Sequence, residues 1–410
     1  MRPVYQDAQA FEISIHAGWY TGRHMKQRLH TTWIEVSASS LRHNIVTLRE
    51  LVDPNVCLAA TVKANAYGHG ATQAGKIFLA AGADWLSVHS LDEALDLRAA
   101  GIQAPLYILG FVPTERLSEV IEHDIDLVLY DESRLREIAR QAKAKQVPAK
   151  IHLKLETGLH RQGVSTDEVV RLAQFIKGNE WLLLRGITSH FANIEDTSAS
   201  DFAELQYRRF STCLQQLKQQ DITPEFHHMA NSAAAMLYPG MHGNLVRPGI
   251  ACYGIWPSRT TRQQAEANRP SITLRPAFTW KALVSQVKHI GPGDTVGYGR
   301  TYTPATPTRI AVIPVGYYEG FDRRAGNEGY VLIGGQRAPV VGRVSMNNIM
   351  VDCSDCGPVR PEDEVVLLGR QGEAEITAEE VAAWTDRIVY EVPTRIGATL
   401  SATIPRIVVE

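Results

Sequence analysis

The stretch VKANAYGHG, residues 62–70, places a lysine directly after an apolar segment. Residues 58–62 are mostly apolar or β-branched, and Lys63 follows them without a spacer. Lysine is seldom fully buried, and burial lowers the pKa of its ammonium group from the ordinary value of about 10.4. A neutral lysine amine is a nucleophile that forms a Schiff base with a carbonyl compound. On this motif alone, a lysine that ends a strand and extends into solvent is an equally good interpretation.

Four further apolar segments are followed by polar side chains that suit the binding of an anion. His190 can also be interpreted as a core histidine, and Arg161 as part of a surface ion pair. Together with Lys63, however, five such segment ends favour a ligand site. The candidates are Lys154 and Arg161 in HLKLETGLHRQG, His190 in SHF, Asn231 and Ser232 in HHMANSAA, and Arg247, Gly249 and Ile250 in VRPGIACYG.

The last two of these segments predict a phosphate site. Ser232 opens a predicted helix, so its hydroxyl and the N–H groups of the first turn are available to an anion. Gly249 and Ile250 let the backbone approach a ligand closely, because glycine has no side chain. A phosphate at this position and an aldehyde at Lys63 together describe pyridoxal phosphate. The sequence offers no carboxylate cluster that would hold a metal, so we expect no metal.

The elements that must position these residues alternate between strands and helices. Eight short apolar segments lie between residues 56 and 246, and helical patterns separate them. This alternation predicts a parallel sheet, and eight units of this size fit a closed (β/α)8 barrel. In such a barrel the catalytic groups follow the C-terminal ends of the strands, as Lys63 would. An open doubly wound sheet is the alternative, although no early G-x-G-x-x-G motif supports a dinucleotide-binding form of it.

The pattern changes after about residue 258. Residues 258–271 are polar, and we interpret them as a linker. Short strand patterns broken by turn signals follow, with one helical insert, which predicts an all-β domain. The predicted regions are an N-terminal extension over 1–30, a pyridoxal-phosphate-binding barrel over 31–260 and a C-terminal β domain over 261–410, with a first strand at 32–36 that could pair with the β domain.

The composition is that of a globular protein and argues against several classes. The 410 residues are 44% hydrophobic and 21% charged, with a formal net charge of −2. This balance gives no electrostatic basis for binding nucleic acid or an anionic membrane surface. The sequence has no apolar run of membrane-spanning length and no signal-peptide core near its start, so we expect a cytoplasmic protein. Five cysteines, an odd number, argue against a disulfide framework.

Several motifs occur together in an order that resembles the alanine racemase family. The resemblance covers roughly residues 32–407 and is carried by VKANAYGHG, K-L-E-T-G-x-x-R, ANSAA, VRPGIACYG, GDTVGYGRTY, GRVSMNN and YEVP. It implies a pyridoxal-phosphate-dependent barrel with a C-terminal β domain that interconverts L-alanine and D-alanine. It also implies a head-to-tail homodimer, in which each active site takes residues from the β domain of the partner.

The resemblance assigns two acid–base residues and a set of binding residues. Lys63 matches the Schiff-base lysine and one base, and Tyr298, in the VGYG element, matches the opposite base, which the partner subunit supplies. Arg161 matches the arginine near the substrate carboxylate and the phenolic oxygen of the cofactor, and Met346 matches the residue whose backbone N–H meets that carboxylate. The other matches bind the cofactor: Arg247 at the pyridine nitrogen with His190 beside it, Asn231, and the phosphate-binding set Tyr67, Ser232, Gly249, Ile250 and Tyr390.

These assignments are chemically consistent with racemisation. The reaction removes a proton from one face of the α-carbon and returns one to the other face, so two bases must flank it. Lys63 and an ionised Tyr298 meet this need if cations such as Arg161 lower the tyrosine pKa. Arg247 is hard to deprotonate and should leave the pyridine nitrogen unprotonated, which limits transamination. Related barrel decarboxylases place a carboxylate there, so Arg247 argues against them.

Asn347 differs from the residue common in the family, and Lys154 matches a residue that is often modified there. Asn347 follows Met346 where the family often has an aspartate, and its effect on the entrance to the site is open. Lys154, seven residues before Arg161, matches a lysine that is often carbamylated in the family. An unmodified lysine beside Arg161 would be a like-charge pair, so a carbamate is electrostatically reasonable.

Two other functions stay open at this point. A racemase for serine, or for a broader set of amino acids, would use the same residues, although Tyr390 should narrow the pocket and favour alanine. A non-catalytic pyridoxal-phosphate carrier would share Lys63 but would have no use for a β domain with Tyr298. The sequence also leaves open whether the enzyme supplies D-alanine for peptidoglycan precursors or breaks alanine down.

Overall fold

The first strand of the structure belongs to the C-terminal part of the chain. The computed structural model describes residues 30–398 and 404–410, so the predicted extension over 1–30 lies outside it apart from its last residue. Strand β1 (Thr32–Ser37) runs antiparallel to Phe278–Leu283 and parallel to Arg406–Val409. The chain therefore enters the barrel only after contributing a strand to the β domain.

Eight parallel strands form a nearly closed barrel, which confirms the predicted fold. They are β2 (Cys57–Thr61), β3 (Trp85–Val88), β4 (Leu106–Ile108), β5 (Ile125–Leu129), β6 (Ala149–Lys154), β7 (Leu182–Thr188), β8 (Phe226–His228) and β9 (Leu245–Val246). Strands β2 to β8 pair with one another in chain order. The last strand, β9, returns to pair with β2. Asn244 joins β8 to the start of β9, because its Oδ1 accepts a hydrogen bond from the His227 backbone N–H at 2.8 Å and its backbone N–H donates to the His227 carbonyl at 3.2 Å.

Helices follow the strands and cover the outside of the barrel. Side-chain caps define several of their starts, including a capping box in which Ser90 and Glu93 satisfy each other's backbone N–H groups. No helix in residues 30–398 or 404–410 has the length and apolarity to cross a membrane. The helices of this region are α1 (Ala38–Leu51), the single turn α2 (Lys63–Tyr67), α3 (Ala71–Ala80), α4 (Leu91–Ala99), α5 (Leu117–Glu122), α6 (Glu132–Lys145), α7 (Thr166–Lys177), α8 (Asp201–Gln219), α9 (Ser232–Leu237) and α10 (Arg259–Asn268).

Most of the predicted linker over 258–271 forms a helix, α10, which the sequence analysis did not predict. Ser258 caps this helix, and its Oγ accepts a hydrogen bond from the Thr261 backbone N–H at 3.0 Å. The helix buries few of its side chains, so its sequence carries no apolar stripe. Its first turn docks through hydroxyl groups instead, since Ser258 and Thr261 both donate to the backbone carbonyl of Glu195.

The interior of the barrel is packed with side chains rather than open. Aromatic and aliphatic side chains from six strands form a cluster separate from the main core: Ala59, Trp85, Tyr107, Val128, Phe226 and Leu245. Three ionisable side chains are buried among them, Asp126, His152 and His228. The interior therefore combines an apolar wall with a small polar centre.

The β domain consists of two sheets and two short helices. The strands of its larger sheet lie in the order β14, β13, β16, β10, β1 and β18, with β17 paired to β16, and β11, β12 and β15 form the smaller sheet. Helix α12 contacts turn α2 at the barrel mouth, since a Cβ on Gly68 would lie 2.2 Å from Pro393 O. The bounds are β10 (Phe278–Leu283), β11 (Gln286–Ile290), β12 (Thr308–Ile313), β13 (Tyr330–Ile333), β14 (Gln336–Pro339), β15 (Ile349–Asp352), β16 (Glu364–Gln371), β17 (Ala374–Ile376), α11 (Ala378–Thr385), α12 (Glu391–Arg395) and β18 (Arg406–Val409).

Candidate active site

Lys63 lies at the mouth of the barrel, just beyond strand β2. Its side chain is partly buried, and burial lowers the pKa of its ammonium group below the ordinary value. The charge of Arg161 acts in the same direction, and Glu93 opposes it. The lowered pKa favours the neutral amine, which is the nucleophilic form of lysine.

The residues after Lys63 wind in the left-handed direction, which is costly without glycine. The φ angles of Ala64, Asn65, Ala66 and Tyr67 are 53°, 52°, 54° and 52°. Each residue held this way costs about 1–2 kcal/mol. Such strain persists only where surrounding contacts enforce it, and it clusters at functional sites.

Two charged side chains hold this turn in place. The Glu93 carboxylate accepts hydrogen bonds from the backbone N–H groups of Ala64 and His89, each at 2.6 Å. From the other side, Arg406 Nε donates to the backbone carbonyl of Gly68 at 2.6 Å. The turn is therefore tied both to the neighbouring strand–helix unit and to the β domain.

Tyr67, Ser232 and Gly249 form a polar cradle beyond strands β8 and β9. Ser232 Oγ accepts hydrogen bonds from the backbone N–H groups of Gly249 at 2.8 Å and Ala251 at 3.3 Å, which leaves its hydroxyl hydrogen for another acceptor. A Cβ on Gly249 would lie 2.4 Å from Tyr67 Oη, so only glycine fits beside this hydroxyl. Two hydroxyl donors and the adjoining backbone at Ile250 suit a phosphate group, and the residues present therefore fit the predicted cofactor.

Glu195 lies beside the cradle and was not predicted from the sequence. Its Oε1 accepts a hydrogen bond from Asn231 Nδ2 at 2.7 Å, and its Oε2 accepts one from the Tyr390 hydroxyl at 2.8 Å. Burial raises the pKa of Glu195, and burial followed by the charge of Glu195 raises the pKa of Tyr390. In the sequence, Glu195 is part of an acidic pair soon after His190. Such a pair looks like part of a solvated loop, so nothing marked it as a buried residue of the site.

Arg247 is buried at the base of the site, with 6% of its surface exposed. Its Nη2 donates a hydrogen bond to the backbone carbonyl of Ser189 at 2.8 Å, and its Nη1 bonds to His228 Nδ1. Burial lowers the pKa of Arg247 to about 10, so it remains a cation at neutral pH.

Three further cationic or basic side chains surround the same space. Burial, followed by the charges of Arg247 and Arg161, lowers the pKa of Lys154 to about 7. Burial, followed by the charge of Lys154, holds the pKa of His190 far below its usual value. Lys63 contributes to both shifts, so the structure brings these predicted residues together. The positive charges of Arg161 and Arg247, which act on both groups, favour an anionic ligand.

Tyr298 and Met346 lie on the exposed surface of the β domain. Tyr298 is 71% exposed and Met346 is 54% exposed. The Arg343 side chain lies under the Tyr298 turn, where a Cβ on Gly299 would be 3.0 Å from Arg343 Nη1. Within residues 30–398 and 404–410, no hydrogen bond joins Tyr298 or Met346 to the barrel.

Asn347, which departs from the pattern of the family, is explained by its neighbour. Its Nδ2 donates a hydrogen bond to Glu319 Oε1 at 2.7 Å, and Glu319 Oε2 accepts another from the Gly316 backbone N–H at 2.8 Å. An aspartate at this position would place two carboxylates in contact, which is unfavourable.

Comparisons with known proteins match both domains of the chain. The model of the alanine racemase N-terminal domain matches residues 36–257, and that of the C-terminal domain matches residues 277–404. The alanine racemase of Desulforamulus reducens is 38% identical over 377 residues, which cover 92% of this chain and 98% of that protein. The crystal structure of alanine racemase from Streptomyces lavendulae, a D-cycloserine producer, covers 93% of this chain and 97% of its own, at 34% identity and a TM-score of 0.86. The histidine racemase of Leuconostoc mesenteroides is also similar, with 27% identity, a TM-score of 0.83, and coverage of 95% of this chain and 100% of its own.

Proposed function

The chain belongs to the alanine racemase family and is an amino-acid racemase, and we propose that it interconverts L-alanine and D-alanine by a two-base mechanism with pyridoxal phosphate. The observation that carries this proposal is the presence, at one barrel mouth, of Lys63 with a lowered pKa and of the cradle of Tyr67, Ser232 and Gly249. An amine nucleophile near an anion site is the arrangement that a phosphorylated aldehyde requires. We also propose a cytoplasmic location.

Pyridoxal phosphate would supply an aldehyde and a conjugated ring that makes the α-proton of an attached amino acid more acidic. The cradle, with Ile250, Asn231 and Tyr390, would hold its phosphate. Arg247 would face its pyridine nitrogen, with His190 nearby. A guanidinium donates N–H groups and keeps its own protons, so Arg247 would leave that nitrogen as an acceptor. Arg247 thereby favours return of the proton to the α-carbon over transamination.

Lys63 and Tyr298 would move the α-proton. One side chain removes a proton from one face of the α-carbon, and the other gives a proton to the opposite face; the reverse reaction exchanges their roles. The lowered pKa of Lys63 increases the fraction of neutral amine, the form that acts as a base. Arg161 and the backbone N–H of Met346 would hold the substrate carboxylate, which orients the α-carbon between the two bases.

The proposed two-base chemistry takes Tyr298 from a second subunit, and the exposed surface of the β domain supports this. Tyr298, Tyr317, Tyr318 and Met346 are all exposed. The loops of the last three are joined by backbone hydrogen bonds, since the N–H groups of Tyr317 and Tyr318 donate to the carbonyls of Ser345 and Met346 at 3.1 and 3.0 Å. Exposed aromatic residues and methionines are typical of a protein interface. We therefore propose a head-to-tail homodimer in which each β domain brings Tyr298 and Met346 to the barrel of the partner.

Lys154 is proposed to carry a carbamate. With its pKa lowered to about 7, part of Lys154 is a neutral amine at physiological pH. That amine adds to carbon dioxide, the N–C bond forms and one proton is released, which leaves an anionic carbamate. The anion would offset the charges of Arg161 and Arg247, both of which lower the pKa of the free amine. Mass analysis of the intact subunit with and without bicarbonate tests this modification.

Incubation of the holoenzyme with L-alanine in heavy water tests the proposed function. We expect D-alanine that carries deuterium at Cα, because both bases exchange their protons with solvent. A protein that binds the cofactor but forms no D-alanine would support the non-catalytic carrier instead. The same assay with L-serine distinguishes an alanine racemase from a broader one.

Hybrid dimers test the two-base assignment and the shared site together. Lys63→Ala and Tyr298→Phe homodimers should each be nearly inactive. A mixture should regain activity, because one of the two sites in a hybrid then has both bases intact. Inactivity of the mixture, with subunit exchange demonstrated by mass spectrometry, would show that each site is built from one chain.

A further inference from the structure

A chain of hydrogen bonds crosses the barrel interior from Arg247 to Asp126. Arg247 Nη1 bonds to His228 Nδ1, and His228 Nε2 lies 2.8 Å from His152 Nδ1. His152 Nε2 in turn lies 3.0 Å from Asp126 Oδ1. All four side chains are buried, so the chain connects the base of the candidate active site with the opposite end of the barrel without contact with solvent.

The packing around His152 is shaped for its ring. The ring centroid of Tyr107 lies 4.6 Å from that of His152, and Phe226 stacks on the same ring. On the neighbouring strand, a Cβ on Gly186 would lie 2.4 Å from His152 Nδ1, and the β6–β7 register shifts at this point. Any side chain at position 186 would clash with the imidazole of His152. Glycine at this position therefore leaves the space that the His152 ring occupies.

The carboxylate at one end sets the direction of every hydrogen bond in the chain. Asp126 is an acceptor, so His152 donates to it from Nε2. Burial lowers the pKa of His152 and of His228, so both rings are neutral and each carries one N–H. His152 Nδ1 is then an acceptor for His228 Nε2–H, and His228 Nδ1 is an acceptor for Arg247. Each histidine is restricted to the tautomer protonated at Nε2.

An ion pair with Arg185 covers the other side of Asp126. Arg185 Nε lies 3.3 Å from the same Asp126 Oδ1, and Arg185 Nη1 pairs with Glu225. The Arg185 guanidinium also lies over the rings of Trp85 and Phe226. Arg185 thus offsets the charge of Asp126, while Oδ1 accepts hydrogen bonds from both neighbours.

We propose that Asp126 and His152 are positioning residues for Arg247. By fixing the tautomer of His228, they present an acceptor to Arg247 Nη1 and hold the guanidinium in one orientation. A His228 ring protonated at Nδ1 would oppose this N–H with another and turn the guanidinium away. The inference rests on the proposed function, because the group that the oriented Arg247 would meet is the pyridine nitrogen of the cofactor.

A matched pair of substitutions at Asp126 separates hydrogen-bond direction from charge and packing. Asp126→Asn keeps an Oδ1 that accepts from both His152 and Arg185 but removes the charge. Asp126→Leu keeps a similar volume but removes the acceptor. Glu225→Gln is the control. It removes the carboxylate on the far side of Arg185, which does not contact the histidines.

Three measurements on each holoenzyme read the effect. 15N NMR of histidine-labelled protein, without substrate, reports the tautomers of His152 and His228. The absorption spectrum of the bound cofactor reports the environment of its ring. Steady-state kinetics with alanine separate kcat from KM.

We expect wild type, Asp126→Asn and Glu225→Gln to show both rings protonated at Nε2 and the same cofactor spectrum. Asp126→Leu should show mixed tautomers and a shifted cofactor band. Its kcat should fall by about 10–100-fold, the range seen when partners that orient metal-binding histidines are removed, with little change in KM.

Two results would overturn the proposal. One is a folded Asp126→Leu protein with single Nε2 tautomers and the wild-type spectrum, and the other is Asp126→Asn with the same changes as Asp126→Leu. If Asp126→Leu does not fold, His152→Phe keeps the ring volume and removes both hydrogen bonds, and a single His228 tautomer there would refute the proposal equally. Because the tautomers are read without turnover, these results stay separate from a failure of racemisation.

Discussion

Replacing Gly249 by alanine should damage the phosphate cradle without disturbing the rest of the barrel. The added Cβ would lie 2.4 Å from Tyr67 Oη, whereas ordinary contact begins near 3.4 Å. Tyr67 would therefore have to move by about 1 Å. Its ring centroid lies 5.0 Å from that of Tyr253 and 6.3 Å from that of Tyr390, so these two rings limit its movement, and we expect the hydroxyl to shift into the cradle.

The size of the effect follows from where Tyr67 can relax. In the free protein the displaced hydroxyl occupies the space intended for phosphate, and cofactor binding forces it back against the new methyl group. Overpacking of this kind costs about 1–3 kcal/mol, which raises the cofactor dissociation constant by about 5- to 150-fold. Unfolding of the apoprotein should change little.

Titration of the apoprotein with pyridoxal phosphate, followed by absorbance, measures this constant. Gly240→Ala is the matched control, because a Cβ there has no heavy atom within 4 Å. A double variant sharpens the test, since Tyr67→Phe removes the clashing oxygen and leaves the ring carbon Cζ 3.1 Å from the methyl group. Adding Gly249→Ala to Tyr67→Phe should then cost clearly less affinity than adding it to wild type. Equal costs in the two backgrounds, or wild-type affinity in Gly249→Ala, would refute the cradle.

Three further predictions concern the pocket wall, a buried amine and the strained turn. Tyr390→Ala should raise the ratio of kcat/KM for serine over alanine by at least about tenfold, while Tyr390→Phe keeps the ring and the ratio; equal ratios in both variants would contradict this. The pKa of Lys154 falls from 10.5 in the unfolded chain to about 7 in the native protein, so stability should rise with pH between these values. Lys154→Met should therefore raise the melting temperature most below about pH 7 and progressively less toward higher pH in carbon dioxide-free buffer, whereas a gain independent of pH would refute the shift. Glu93→Gln weakens the 2.6 Å hydrogen bond from Ala64 and should cost about 1.5–3 kcal/mol in urea unfolding, while Asp92→Asn, at an exposed ion pair, should cost less than about 1 kcal/mol. Equal costs would argue against the clamp.

The barrel could be predicted because its strands are buried on both faces and therefore form short, nearly continuous apolar runs. Helix α10 could not, because it docks through the hydroxyls of Ser258 and Thr261 rather than through an apolar stripe. The left-handed turn after Lys63 was equally hidden, since Ala64 and Ala66 have no preference for it. Glu93 and Arg406, from distant parts of the chain, impose that conformation.

Within the site, the residues that follow strands were predictable, and those that act from loops or from the interior were not. Lys63 and Arg247 end apolar segments, which marks them in the sequence. Glu195 lies in a polar loop, so its burial against Tyr390 depends on tertiary packing alone. Asp126 is an acidic residue within an apolar strand, a signal that does not reveal its partner.

Strand β1 has a consequence for how the protein is made. It lies between β10 and β18 in the larger sheet, so its two edges are satisfied by residues far along the chain. During synthesis this strand leaves the ribosome before the barrel, yet its partners follow only after the barrel is complete. The barrel can thus fold early, while β1 remains an unpaired apolar strand until β10 and then β18 have been synthesised. Separate expression of the barrel with β1 would remove an inner strand from the β domain. The β domain can therefore be completed only on a chain that also carries the barrel.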